Sequence, residues 1–231
     1  MLRYTEETTR MGMAGNVKAN LEALGVNVLA HCSYPEYIIK RRFIDSRSRQ
    51  MLLREDIERD MPPLKYRDYG DVDAVVISDY DKGAVTLELV DTLKYRYPTT
   101  AIYVDSKRSD LRMFKGCFLK INQHEYTKAK LPAGYNDPEY EHMIVTHGDM
   151  GAYHSGTATW FDAPDVDVFD VTGAGDVFFA ALCYYRLTDR NILSAIPKAV
   201  HLASLSVQHH GIYTITKEDI DYVESLKLHA P

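Results

Sequence analysis

A short segment near residue 170 combines a carboxylate with residues that have little or no side chain. Residues 170–176 read DVTGAGD and are followed by the apolar run VFFAALCYY. Because Gly173, Ala174 and Gly175 leave the backbone accessible, amides at the start of the following helix can approach an anion closely. Asp176 falls in the first helical turn, so its carboxylate and these amides converge. This arrangement suits deprotonation of a hydroxyl while charge develops on a transferring phosphoryl group. The alternative is a tight entry to a buried helix, with Asp176 as a cap residue.

Two further patterns precede this segment in the chain. Residues 120–125, KINQHE, place an asparagine and a glutamate three residues apart, and residues 145–152, VTHGDMGA, hold two glycines in a turn. Taken alone, a surface glutamate at a helix start and a plain hairpin turn explain both patterns. Their chemistry therefore depends on what the rest of the chain places beside them.

Alternating apolar and helical stretches must position these residues. From Asp73 onward, DAVVIS, AIYVD, FLKIN and MIVTH predict short buried strands, and VTLELVDTLKYRY predicts a helix between the first two. Such alternation is typical of βαβ units that build a parallel sheet covered by helices. GAYHS and ATWFD, separated by Gly156 and Thr157, predict an antiparallel hairpin at the sheet edge.

Helices are also predicted on either side of this sheet pattern. Residues 15–24 predict an amphipathic helix ended by Gly25, and residues 26–32, VNVLAHC, predict a strand. The last third of the chain predicts three helices: one from near Gly173, one over 191–208, and one opened by Thr216 with Asp219 at a capping-box spacing.

The segment YIIKRRFIDSRSRQMLLREDIE is densely charged and differs from its surroundings. We predict two exposed strands, roughly 37–45 and 49–58, with a solvated charged helix as the alternative. On a strand, Lys40 and Arg42 share one face, where they could bind a phosphate group already present on a substrate. A solvated edge strand protected by its charges is the competing interpretation.

Size and composition restrict the class of protein. The 231 residues are enough for one α/β domain, and 45% hydrophobic with 26% charged residues is ordinary for a globular protein. A formal net charge of −6 argues against nucleic acid as the main partner. No apolar run approaches the roughly 20 residues of a membrane span, and the N-terminus lacks a signal-peptide core, so we expect a cytoplasmic protein. Cys32, Cys117 and Cys183 form no CxxC pair, and we expect buried, reduced thiols.

The complete DVTGAGD segment resembles the phosphate-transfer motif of the ribokinase (PfkB) family of carbohydrate kinases. The resemblance implies that Asp176 is the catalytic base and that the amides of Gly173, Ala174 and Gly175 form an anion hole. It also implies that Asp170 and Thr172 lie near a monovalent-cation site, which K⁺ could fill.

The two earlier patterns resemble elements of the same family, in the same order. KINQHE is similar to K-P-N-x-x-E, with Ile121 in place of the proline, and VTHGDMGA is similar to T-x-G-x-x-G. The resemblance implies that Asn122 and Glu125 organise Mg²⁺ and phosphate. The full set of implied nucleotide-binding residues is Lys120, Asn122, Glu125, Thr146, Gly148 and Gly151.

The substrate side resembles one branch of the family, the D-glycero-β-D-manno-heptose 7-phosphate kinases. SDYDKGAV, VDSKRSDLRMFKG and the charged segment carry this resemblance, which implies substrate contacts from Asp79 and Lys82 as well as Lys40 and Arg42. GMAGNVKANLEALG resembles G-G-A-x-N-V-A, which implies that Asn16 binds sugar hydroxyls. Relative to the family, we expect a shortened sugar-binding region. The family's first strand, which carries a Gly-Asp pair, is missing, and so are the strand and helix expected between Cys32 and Tyr37.

Together these features predict a three-layer α/β/α sandwich of ribokinase type, with a small β lid formed by about 1–12 and 37–58. The expected activity is ATP- and Mg²⁺-dependent phosphorylation of a sugar or sugar phosphate. Ribose, fructose or a nucleoside are alternative acceptors, and a nucleotide-binding protein that has lost sugar kinase activity is an alternative from another class. Because a two-stranded ribbon cannot bury its own apolar residues, we also expect a homodimer through the lid.

Overall fold

The computed structural model describes residues 3–32, 38–48, 50–129, 131 and 134–228. Within these residues the helices are α1 (Ala14–Ala23), α2 (Leu87–Arg96), α3 (Gln123–Lys128), α4 (Ala174–Asp189), α5 (Ile192–Ser206) and α6 (Lys217–Ser225). The strands are β1 (Ile38–Ile44), β2 (Met51–Glu58), β3 (Ala74–Asp79), β4 (Ala101–Ser106), β5 (Phe118–Asn122), β6 (Met143–Thr146), β7 (Ala152–His154) and β8 (Thr159–Phe161). No described helix is long and apolar enough to cross a bilayer.

A six-stranded sheet in the order β3-β4-β5-β6-β7-β8 forms the middle layer. The first four strands are parallel, whereas β7 and β8 continue antiparallel as the predicted edge hairpin. In this register Asp79 pairs with Ser106, and Asn122 pairs with Thr146. These four polar residues end four neighbouring strands at one edge, which is where open α/β sheets bind ligands.

Helices cover both faces of the sheet. On one face α4 packs against α1 and α5, and its residues from Val177 to Cys183 are almost completely buried. This helix lies in the middle of its layer, which explains why it is apolar around most of its circumference. On the other face, Val90 and Leu93 of α2 pack with Phe114 and the strand residues of β3 to β6.

Strands β1 and β2 form a separate antiparallel hairpin, which confirms the two predicted strands and rules out the charged helix. Its pairing runs from Ile38 opposite Glu58 to Ile44 opposite Met51. It exposes a group of large apolar side chains: Ile39, Phe43, Ile44, Met51, Leu52 and Leu53. The chain after β2 is tethered to the loop after β3, because the Met61 amide donates to the Lys82 carbonyl at 2.6 Å.

Two predictions outside the sheet are wrong, namely a strand at residues 26–32 and the burial of Cys32. Residues 26–32 form no strand; instead Val26 and Val28 pack against the layer that α1 and α4 form. A strand needs a neighbour, and within the described residues β3 pairs only with β4, so this segment stays irregular. Cys32, at its end, is exposed, whereas Cys117 and Cys183 are buried as expected.

Candidate active site

The centre of the site is the carboxylate of Asp176 in the first turn of α4, which is 9% exposed. The Asn16 side-chain amide donates to its Oδ2 atom at 3.1 Å, and the Tyr80 hydroxyl donates to Oδ1 at 3.0 Å. Gly173 precedes the helix with a φ of 84°, and a Cβ there would lie 2.8 Å from the Asn16 Nδ2 atom. Glycine is therefore required both by the backbone conformation and by the close approach of Asn16.

This environment determines how readily Asp176 accepts a proton. Burial raises the pKa of Asp176, and the negative charge of Asp105 adds to this, while the hydrogen bond from Asn16 and the charge of Lys120 oppose it. Burial and the neighbouring Asp176 also raise the pKa of Tyr80 far above its usual value, so its hydroxyl stays a neutral donor. A raised pKa makes a carboxylate a stronger base at neutral pH.

A buried cation lies beneath the glycine turn that opens α4. A Cβ on Gly175 would lie 3.1 Å from Nζ of Lys120, and that ammonium pairs with Oδ2 of Asp105 at 3.1 Å. Both charged side chains are only 2% exposed. The Ala174 and Asp176 amides donate to the carbonyls of Val171 and Gly173 at 3.3 and 3.0 Å. With the Gly175 amide, the positive end of the helix dipole and a fixed positive charge, this point concentrates positive potential. It can hold an anion.

The predicted Mg²⁺ and phosphate element lies at the carboxyl end of β5. Asn122 and Glu125 form a capping box, in which Asn122 Oδ1 accepts from the Glu125 amide at 2.9 Å and Glu125 Oε2 accepts from the Asn122 amide at 2.7 Å. Nearby, Oδ1 of Asp105 is buried and accepts no hydrogen bond from the described residues.

These oxygen groups fit a divalent cation held jointly with phosphates and water, which is the usual way Mg²⁺ binds. No group of three or more metal-binding side chains occurs in the described part of the chain, so a closed protein cage for the ion is absent there.

The predicted nucleotide turn follows β6, beside Asn122 in the sheet register. Gly148 and Gly151 have φ values of 61° and 99°. A Cβ on Gly151 would lie 2.0 Å from the Phe161 carbonyl oxygen, whereas one on Gly148 would meet nothing within 4 Å. A cavity of about 330 Å³ opens beside this turn; it is lined by Asp149, Met150, Trp160, Asp162 and Ala163.

Asp170 joins the DVTGAGD segment to the chain after α5. Its carboxylate accepts from the amides of Thr172 and Gly211, both at 2.9 Å. Although burial opposes it, these hydrogen bonds and the charge of Arg42 lower the pKa of Asp170. The metal-binding roles of Asp170 and Thr172 stay predictions.

The residues predicted to bind the sugar separate into two groups. Asn16 contacts Asp176 of the DVTGAGD segment, whereas Arg42, whose charge acts on Asp170, has no ion pair among the described residues. The other three residues are engaged in ion pairs: buried Asp79 accepts from Arg108 at 2.6 Å, Lys82 lies 2.6 Å from Glu58, and Lys40 lies 3.4 Å from the same glutamate. Sugar binding by any of the five stays a prediction.

Sequence reasoning missed Tyr80, Asp105 and Lys107. Lys107 lies 2.5 Å from Glu125 through its Nζ atom and has its ammonium group 5.6 Å from the centre of the Tyr80 ring. All three residues stand at or directly after the carboxyl ends of β3 and β4. The rule that ligands bind at this edge of a parallel sheet could have drawn attention to them.

Comparisons with solved structures identify the fold first. The E. coli phosphofructokinase-2 structure in complex with fructose-6-phosphate superposes with a TM-score of 0.57 at 18% identity, over 77% of this chain and 66% of that chain. A Burkholderia thailandensis nucleoside kinase in complex with inosine gives 0.54 at 21% identity, over 70% and 58%. The predicted ribokinase-like α/β sandwich is confirmed.

The sequence comparisons then give the family. Residues 114–219 match the model described as pfkB family carbohydrate kinase. Bifunctional protein HldE of a Nitratiruptor species is 32% identical over 174 residues, which cover 69% of this chain and 37% of that protein. HldE of Campylobacter jejuni (strain RM1221) is 26% identical over 266 residues, covering 96% and 58%. The chain spans about half the length of the curated relatives it matches. It carries a PfkB carbohydrate kinase domain, as predicted.

Proposed function

We propose that this protein is an ATP-dependent kinase that transfers the γ-phosphoryl group to a hydroxyl group of a sugar or sugar phosphate. The observation that carries the proposal is the convergence at the start of α4. There the buried carboxylate of Asp176, held by Asn16 and Tyr80, adjoins the glycine turn beneath which Lys120 lies. A base and an anion-binding point thus occur side by side.

In the proposed reaction, Asp176 accepts the proton of the acceptor hydroxyl as its oxygen attacks the γ-phosphorus. The bond between that phosphorus and the bridging oxygen of ADP breaks, and the electron pair stays with ADP. The amides of Gly173, Ala174 and Gly175 donate to the transferring oxygens, and the fixed charge of Lys120 supports them. Preorganised donors and charges of this kind supply most of the catalysis in phosphoryl transfer.

The nucleotide is proposed to lie across the carboxyl edge of β5 and β6. Its phosphates would face the turn from Thr146 to Gly151, and the segment 201–214 would flank the adenine. Mg²⁺, held through Asn122 and Glu125, would offset phosphate charge when bound. A K⁺ ion beside Asp170 and Thr172 belongs to the same proposal. The hydrogen bonds that the Asp170 carboxylate accepts from the amides of Thr172 and Gly211 support it, because they bring two loops together there.

A phosphorylated sugar, such as a heptose phosphate, is the acceptor that the substrate side favours. Arg42 offers a guanidinium group with no ion pair among the described residues, and its charge acts on Asp170 beside the proposed transfer point. Arginine suits phosphate because its planar fork can form two parallel hydrogen bonds.

The second proposal on this side concerns assembly. The exposed apolar residues of the β1–β2 hairpin need another surface, and a second copy related by a twofold axis can offer the same one. We therefore propose a homodimer through the hairpin, acting in the cytoplasm where ATP is available.

The experiment that tests the activity is a screen of ATP consumption against a panel of sugars and sugar phosphates in the presence of Mg²⁺. Consumption that depends on one sugar or sugar phosphate is the expected result. ATP binding without any acceptor-dependent consumption would contradict the proposal and favour a nucleotide-binding protein that has lost kinase activity.

A further inference from the structure

Lys107 follows β4 directly and places a second cation at the site. Its amide donates to the Asp79 carbonyl at 3.0 Å, which fixes the backbone at the carboxyl edge of the sheet. Its ammonium group lies 2.5 Å from Oε1 of Glu125 and 3.9 Å from Oδ1 of Asp105. One third of the lysine side chain is exposed, whereas the two carboxylates are nearly buried. The lysine is therefore a partly exposed side chain whose ammonium group lies beside two nearly buried carboxylates.

The position of Lys107 joins the two halves of the site. On one side it contacts Glu125 of the proposed phosphate element. On the other side its ammonium lies 5.6 Å from the centre of the Tyr80 ring, and the hydroxyl of that ring donates to Asp176.

The two lysines of the site differ in what they can do. Lys120 is held at Asp105 beneath Gly175 and is only 2% exposed, so it contributes a fixed charge. Lys107 has a flexible stem and a side chain that is one third exposed, which allows its ammonium to exchange one anionic partner for another. An arriving triphosphate meets three carboxylates, those of Asp105, Glu125 and Asp176, so a second protein cation besides Lys120 would reduce the repulsion.

We propose that Lys107 is a catalytic residue of the proposed kinase reaction, whose ammonium group moves from Glu125 to the transferring phosphoryl group and offsets its charge. This inference rests on the proposed function. A purely structural role would instead leave Lys107 on Glu125, where it neutralises the capping box of α3.

The variant Lys107→Met separates these roles, because it removes the charge and keeps much of the stem. We expect kcat to fall by about 10²-fold, as when one donor to a developing charge is lost. In titration calorimetry, the affinity for ATP should fall by about 10-fold while the affinity for AMP, which lacks the β- and γ-phosphates, stays within about twofold. Lys107→Arg should recover part of the ATP preference.

Lys115→Met is the matched control. Lys115 lies 2.5 Å from Glu139 in an equally close ion pair, but before the amino end of β5 at the opposite edge of the sheet. It should change neither kcat nor the preference for ATP over AMP. Should Lys107→Met fail to fold, Lys107→Gln keeps a donor for Glu125 and answers the same question.

The outcomes are distinct. Equal losses of ATP and AMP affinity, or an unchanged ATP preference, would overturn the role of Lys107 whether or not the protein turns over. A parent protein that prefers ATP through Lys107 but consumes none with any acceptor would support the phosphate contact and contradict the proposed function.

Discussion

The carboxyl edge of the main sheet and the β1–β2 hairpin use charged residues in opposite ways. At the sheet edge, Asp105, Lys120 and Asp176 are almost completely buried and held by specific partners. On the hairpin, ion pairs such as Arg54 with Asp56 lie at the surface beside exposed apolar side chains. Buried charges are costly without their partners, whereas exposed pairs contribute little. The charges at the sheet edge are thus held within one chain, whereas under our proposal the hairpin is completed by a substrate or a second copy.

The largest loss of stability is expected from a substitution in the tightly packed nucleotide turn. Gly151→Ala would bring a Cβ to 2.0 Å from the Phe161 carbonyl oxygen at a φ of 99°, so the backbone must shift. We expect a loss of more than about 4 kcal/mol in the free energy of unfolding. Gly148→Ala, in the same turn but with open space, should cost only about 1–2 kcal/mol. Urea denaturation of both variants measures the difference, and equal losses would contradict this packing.

A smaller effect, on the pH dependence of the activity, should follow from removing one hydrogen bond to Asp176. Tyr80→Phe removes a hydrogen bond that favours ionised Asp176, so the pKa of that carboxyl should rise further. Since the base must be ionised, the acid limb of the kcat/KM profile should move to higher pH, with a loss of about 10-fold below it. Tyr95→Phe, at an exposed tyrosine, is the control. An acid limb that does not move would show that Tyr80 does not tune Asp176.

How far the sequence predicted these two regions depends on whether the signal is local. Strands β3 to β6 and the cap at Thr216 were predicted because apolar runs and short spacings determine them. The strand expected at 26–32 was wrong because pairing requires a neighbour that periodicity cannot reveal.

The site was only partly predictable for a related reason. Asp176 stands within a contiguous motif, but Lys107 reaches Glu125 only because β4 and β5 are adjacent in the fold. Asn16, expected to face a sugar, has its side-chain amide on Asp176, a contact across 160 positions of sequence. Contacts of that range follow from tertiary structure alone.

On the hairpin, two neighbouring arginines on opposite faces allow the proposed phosphate contact to be tested against a surface ion pair. Arg42→Ala should raise KM for a phosphorylated sugar by about 5–10-fold and leave KM for ATP nearly unchanged, because one charge-assisted phosphate contact is lost. Arg41→Ala, which removes a surface pair with Glu55 on the other face, should change neither value. Equal effects of Arg42→Ala on both substrates would contradict the proposed phosphate contact.

The smallest change in the stability of a single chain is expected for Phe43→Asp, whose effect is measured as the mass of the assembly. Phe43 is 42% exposed on the hairpin, so Phe43→Asp should scarcely affect the stability of a single chain. In light scattering at micromolar concentration, the parent should have twice the 26.3 kDa chain mass, and the variant should shift towards one chain mass with lower activity. A monomeric parent would refute the homodimer.

The most direct test of the account compares Asp176→Asn with the parent, using an acceptor from the sugar panel. Asparagine keeps the size and a hydrogen-bonding oxygen but cannot act as the base, so kcat should fall at least about 10²-fold with ATP affinity nearly unchanged. Asp189→Asn, at the far end of the same helix, should keep the parent rate. An Asp176→Asn enzyme that works within a few-fold of the parent would contradict the assignment of Asp176 as the base.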